Sequence, residues 1–210
     1  MPVETVFINN FGDTAEQFVM PAGWRSEYYE YLLKRIKKMV ILLDIDNCIS
    51  DDAWRIRFIK QDETDPDKKY DNYHLLAPFD RADNLEELVR SFHDHQYRYF
   101  VLTARPEKFR VPTEIWLKRK GLFNFNLIMR KDDDHSSSVD LKRKMVDEVM
   151  GFFQMEESLQ PLEMEFFAQT VTLALDDRQE VVDMYKSLGF NAHQLKIHDA
   201  SYEHTTNRDK

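Results

Sequence analysis

The sequence predicts an α/β domain with helices layered on a mostly parallel sheet. Two observations carry this. Short β-rich apolar runs alternate with segments of helical period, and three of those runs end in polar residues suited to the carboxyl edge of a parallel sheet. Strands are expected at 39–46, 97–104, 125–129, 170–176 and 191–197, and helices at about 25–38, 83–95, 107–120, 138–153 and 179–188. In the second helix Leu85, Leu88, Val89 and Phe92 fall on one face, which should cover the sheet. Gly121 and Gly189 stand where helices should stop and the chain turn with positive φ. Residues 51–80 are polar and Asp-rich, an excursion between the first strand and its helix and the only expected cover over the sheet edge.

At 210 residues, 42% hydrophobic and 32% charged, the chain has the size of one domain, read as 39–200, with an extension at 1–38 and a polar tail at 201–210. The extension is rich in aromatics, among them Phe7, Phe11, Phe18, Trp24, Tyr28 and Tyr31, and should pack on the core or mediate a homo-oligomer contact. Cys48 is the lone cysteine, and the first residues lack both a basic start and a long apolar run, so a reducing, cytoplasmic setting is expected, the host's if the gene is a phage's. No run approaches the roughly eighteen apolar residues of a membrane helix, and no membrane partner is expected. A formal net charge of −9 disfavours extended duplex binding, which depends on neutralising phosphates. It leaves room for a small phosphorylated substrate in a locally positive pocket.

Four elements carry chemistry. The first strand ends in Leu43-Asp44-Ile45-Asp46-Asn47; in extended chain the two carboxylates share one side, a geometry for a nucleophile paired with an acid/base. Taken alone, such a pair is more often a polar turn. A second pair, Asp176-Asp177-Arg178, also follows a β run, and carboxylates gathered at neighbouring strand ends repel unless a divalent cation sits among them. Oxygen donors with no Cys or His favour Mg²⁺ over zinc. In Thr103-Ala104-Arg105-Pro106, Thr103 can donate to a phosphoryl oxygen or cap a helix, and Arg105 can grip a phosphate bidentately. A lysine at 142 could hold the acids together and neutralise phosphoryl charge.

The order acid pair, Thr, Lys, acid pair resembles the haloacid dehalogenase superfamily, and within it the 3′-phosphatase domains of polynucleotide kinase/phosphatases and their stand-alone phage and bacterial relatives. The resemblance runs from about Met39 to Leu195, and Asp176-Asp177-Arg178-Gln179-Glu180 with its helix is its most specific part. It implies a Rossmann-like three-layer sandwich with strands in spatial order 3-2-1-4-5 and no large cap domain, and a phosphatase in which Asp44 is the nucleophile, Asp46 the general acid/base, Thr103 a phosphate donor and Lys142 the phosphate-side lysine. It also implies Mg²⁺ on Asp44, Asp176 and the backbone carbonyl of Asp46, with Asp177 supporting the metal's water shell. Arg105 would bind the substrate phosphate, with Arg55 or Arg57 as a second such residue.

Two positions depart from the family pattern. Asn47 replaces a glycine, and Asn is the residue that best tolerates the positive φ required there; Cys48 replaces a hydroxyl or β-branched residue and reads as core. Lys142 keeps register with Met145 and Val146, whereas Lys144 keeps a spacing of four from Asp140; Lys142 is preferred. A receiver domain would need its phosphoacceptor Asp where this chain has Met129-Arg130-Lys131, and a non-catalytic nucleotide-binding relative would be expected to have lost an acid. The expected substrate is a nucleotide, most simply a 5′-deoxynucleoside monophosphate, with a nucleic-acid 3′ end as the alternative. The chain has no Gly-x-x-x-x-Gly-Lys segment, and its basic run at 34–38 lies at the wrong sheet edge to guide a strand.

Overall fold

The computed structural model describes residues 40–82, 85, 88, 97–156 and 164–199. Five parallel strands form one sheet in the order β3-β2-β1-β4-β5: β1 (Val40–Leu43), β2 (Arg98–Pro106), β3 (Phe125–Arg130), β4 (Val171–Asp176) and β5 (Ala192–Gln194). This is the expected order. The alternation within β1 explains the layers. Val40 and Leu42 enter one apolar cluster, with Phe100, Leu102, Met145, Val149 and Val182, while Ile41 and Leu43 enter the other, with Tyr99, Val101, Leu85, Trp116 and Leu117. A central strand wholly buried on both faces must be apolar throughout, and β1 reads Val-Ile-Leu-Leu.

The helices follow from their buried stripes. Within the cover, α1 (Pro66–Lys69) and α2 (Asp71–Leu75) are single turns flanked by 3₁₀ turns at Ala53–Phe58 and Ala77–Phe79. On the sheet lie α3 (Arg110–Arg119), α4 (Ser138–Glu156), α5 (Met164–Thr170) and α6 (Gln179–Ser187). In α4, Leu141, Met145, Val146, Val149, Met150 and Phe153 recur at helical spacing and are all buried. Ser137 starts that helix: its hydroxyl accepts the amide of Asp140 at 3.2 Å and donates to the Asp140 carboxylate at 2.7 Å. Gly121 and Gly189 end α3 and α6 at φ 94° and 87°, as expected.

The strands depart from expectation mainly at their ends. β1 stops at Leu43 instead of 46, because the chain turns around one carbonyl: Ile45 O accepts the amides of Cys48, Ile49 and Ser50 at 3.2, 3.0 and 2.9 Å. β5 has three residues rather than seven, and β2 extends to Pro106, so the expected helix at 107–120 opens with a 3₁₀ turn, Glu107–Phe109, and becomes α3 at Arg110. α5 was not anticipated. The expected helix at 25–38, the extension 1–38, Val89, Phe92 and the tail 201–210 lie outside the described residues. None of the described helices is long and apolar enough to cross a membrane.

Candidate active site

The site stands at the carboxyl edge of β1, β2 and β4, where backbone polar groups of a parallel sheet are left open. Leu43 pairs with Val101 on one side and Leu175 on the other, and the Asp44 amide donates to the Leu175 carbonyl at 3.0 Å. That register sets Asp44 beside Asp176. Asp44, Asp176 and Asp177 each offer a carboxylate oxygen, and these atoms lie within 4.8 Å of one another. Lys142, buried one turn into α4, reaches them: Nζ donates to Asp44 Oδ1 at 2.5 Å and to the Leu102 carbonyl, and sits 3.1 Å from Asp176 Oδ2. Lys144 instead lies on the surface, bonded to Asp134 and Ser136, which decides between the two lysines.

The electrostatics of this cluster are unbalanced. Burial raises the Asp44 pKa, Lys142 opposes that rise, and Asp176 and Asp177 add to it. Asp177 is pushed up to about 7, by burial and then by Asp176. Burial would lower the Lys142 pKa, but Asp176 and Asp44 more than reverse this and hold it charged. Asp176 Oδ2 is buried and accepts no hydrogen bond from the described residues. Three crowded carboxylates with one lysine against them, and no Cys or His among them, fit a hard divalent cation held by oxygen.

Asp46 faces a different neighbourhood. Its carboxylate accepts from Arg105 Nη2 at 2.7 Å and Nε at 3.1 Å, and from Arg55 Nη2. Burial alone would raise its pKa, yet Arg105 and Arg55 carry it well below the usual carboxylate range. Asp80 closes the group: it accepts from Arg55 Nε at 2.9 Å, from Ser50 at 2.5 Å and from Trp54 at 2.9 Å, and lies 3.5 Å from Arg105 Nη2. Both arginines are fully buried. Pairing between β2 and β3 shifts between Thr103 and Pro106, and within this interruption Arg105 runs inward to Asp46. Arg105 Nη1 is buried with no hydrogen-bond partner among the described residues.

The remaining expected residues divide. Thr103 is buried within β2, two residues beyond the partner of Leu43, and its hydroxyl accepts the Arg105 amide at 3.2 Å, which leaves its O–H available to donate. Asn47 adopts φ 58°, the conformation for which the family pattern uses glycine. Its amide also does what glycine cannot, donating to Asp177 at 3.2 Å and to the His198 carbonyl at 3.2 Å while accepting the amide of His198 at 2.9 Å. Cys48 is wholly buried in the core with its thiol pKa raised by burial, as a packed residue should be. Arg57 is exposed and lies over the Phe58 ring at 5.0 Å; of the two candidate arginines, Arg55 is the one at the site. Asp80, Asp52, Tyr73 and His198 were not anticipated.

No protein-family model matches the sequence, and no curated protein does. Among solved structures, chains of the Pnkp1/Rnl/Hen1 RNA repair complex match in two determinations at 21% identity over 77% of this chain, with TM-scores of 0.50 and 0.51. A HAD-like family hydrolase from Porphyromonas gingivalis matches at 12% identity over 77% of this chain and 93% of its own, with a TM-score of 0.44. The chain spans less than half the length of the Pnkp1/Rnl/Hen1 chains, 43% and 46%. Sheet order and structural likeness agree: this chain shares the fold of the matched Pnkp1/Rnl/Hen1 chains, with a parallel sheet in the order β3-β2-β1-β4-β5.

Proposed function

We propose that the protein is a Mg²⁺-dependent phosphomonoesterase that works through an aspartyl-phosphate on Asp44. The observation that carries this reading is the separation of two acids two residues apart: Asp44 sits among Asp176, Asp177 and Lys142, while Asp46 sits between two arginines. A nucleophile needs its charge tolerated beside an incoming phosphoryl group, and an acid/base needs to stand apart from it.

Asp44, Asp176 and Asp177, with the backbone carbonyl of Asp46, would hold the cation; when bound, it supplies charge neutralisation for the attacking carboxylate and the phosphoryl oxygens. Asp44 attacks phosphorus in line, and Lys142 and the Thr103 hydroxyl stabilise the charge that develops on the phosphoryl oxygens. Asp46, held ionised by Arg55 and Arg105, is ready to deprotonate the water that hydrolyses the intermediate. To protonate the leaving oxygen it must first gain a proton, which needs that grip loosened, and the incoming phosphate is the competitor for Arg105.

The favoured substrate is a nucleoside monophosphate, because the protein's acidity opposes attraction of a polymer. The fold shared with chains of an RNA repair complex favours a second reading, a phosphorylated nucleic-acid end. Hydrolysis of p-nitrophenyl phosphate that disappears with EDTA and returns with Mg²⁺ tests the activity, and recovery with zinc alone would contradict it. Comparing kcat/KM on 5′- and 3′-mononucleotides with that on a 3′-phosphorylated oligonucleotide separates the substrates. A hundredfold preference for the oligonucleotide would make this an end-healing enzyme.

A further inference from the structure

Behind Asp46 the contacts close into a ring. Arg55, which grips Asp46, is held on its far side by Tyr73: the guanidinium lies 3.9 Å from the centre of the ring, and Nη1 donates to the Tyr73 carbonyl at 3.0 Å. The Tyr73 hydroxyl donates to Asp52 Oδ2, and Asp52 Oδ1 accepts from His198 Nε2 at 2.6 Å. His198 is fixed by Asn47, which bonds both its amide and its carbonyl and is the residue next to Asp46. Three separate parts of the chain, the loop after β1, the cover and the segment after β5, are thus tied together at the acid/base.

Tyr73 and Asp52 are buried, at 4% and 0% exposure. Burial raises the Asp52 pKa, and the Asp46 charge raises it further, so the fold carries a carboxylate in an unfavourable place. Well-packed apolar residues of similar volume often serve stability as well as a buried polar network does. What apolar residues could not do is fix the angle and position of a guanidinium. We propose that Tyr73, Asp52 and His198 are positioning residues for Asp46: they hold Arg55, and through it the carboxylate that must meet the leaving oxygen. None of the three touches substrate. The inference rests on the phosphatase reading above.

Misplacing a reacting group by about 1 Å costs on the order of a hundredfold; hydrolysis of the intermediate is common to every substrate, so the loss that separates substrates is the one in kcat/KM, which covers the steps through departure of the leaving group, where Asp46 must donate a proton. The experiment measures kcat and KM for Tyr73→Phe, Asp52→Asn, His198→Ala and His198→Gln on p-nitrophenyl phosphate, whose leaving group needs little protonation, and on glycerol phosphate, whose leaving group needs it. The expected result for the first three variants is a fall in kcat/KM of roughly 10- to 100-fold on glycerol phosphate and of less than about threefold on p-nitrophenyl phosphate, where kcat and KM fall together because Asp46 also activates the hydrolytic water. His198→Gln, which keeps a donor toward Asp52, should recover most of the loss seen in His198→Ala. Equal losses on the two substrates, or no loss on either, would overturn the proposal in favour of a structural role. Should Tyr73→Phe or Asp52→Asn fail to fold, the His198 pair still decides. A wild-type protein that hydrolyses neither substrate would overturn the phosphatase reading itself, and this inference with it.

Discussion

The two charged networks at the sheet edge are built from the same kinds of residue and behave in opposite ways. Around Asp44, three carboxylates face one lysine, and proton affinities are raised. Around Asp46, two carboxylates face two arginines, and the proton affinity of Asp46 is depressed. The first is electrostatically incomplete and suits a cation; the second is balanced and rigid. A buried charge excess is costly when nothing compensates it, so the imbalance marks where chemistry occurs, and the balance marks where a side chain is held.

The sharpest way to break this contrast is to unbalance the first network further. Lys142→Ala leaves three carboxylates, two of them buried, with no cation from the protein, and kcat should fall about a hundredfold or more. Lys144→Ala, on the surface, should stay within about twofold of wild type. Similar losses in the two variants would show that Lys142 has no special role. Breaking the second network should act on folding. Asp80→Ala leaves Arg55 and Arg105 short of a buried partner, and chemical denaturation should show a destabilisation of about 3–5 kcal/mol. An effect below about 1 kcal/mol would mean the arginines re-pair with Asp46 alone.

A subtler expectation concerns pH. Asp177 has its pKa raised to about 7 in the folded protein, above that of an unfolded aspartate, so the folded state binds the extra proton between the two values. Stability of the metal-free protein from this group is therefore greatest in acid and declines as pH rises toward and through 7. Mg²⁺ should offset that decline, so the rise in Tm on adding Mg²⁺ should be larger at pH 8 than at pH 6. A rise independent of pH would show that Asp177 does not sense the ion.

The sheet order and the first network were legible in the sequence because both depend on short-range pattern. Apolar runs announce strands: Asp44 and Asp176 stand directly at strand ends, and Thr103 directly after the apolar run of β2. Lys142 was legible because helical register with Met145 and Val146 points it inward. The partners of Asp46 were harder. Arg55 could not be told from Arg57 by spacing, and the structure separates them only through burial in a 3₁₀ turn whose length the sequence does not reveal. Asp80 and Asp52 are two among many acids in residues 51–80, a segment without periodicity, and only the folded cover selects them. His198 stands directly after the run expected as the fifth strand, but its bond to Asp52 joins residues 146 apart in the sequence, which no local pattern shows.

The central claim is that Asp44 carries the phosphoryl group while Asp46 serves it from the other network. The most direct measurement is mass spectrometry of acid-quenched Asp46→Asn protein after mixing with p-nitrophenyl phosphate and Mg²⁺, a variant in which the intermediate should form and then persist. A phosphoryl adduct on the peptide containing Asp44, absent when Asp44→Asn is added to the same protein, is the predicted result. Turnover by wild type with no adduct at Asp44, or an adduct at another residue, would contradict the account.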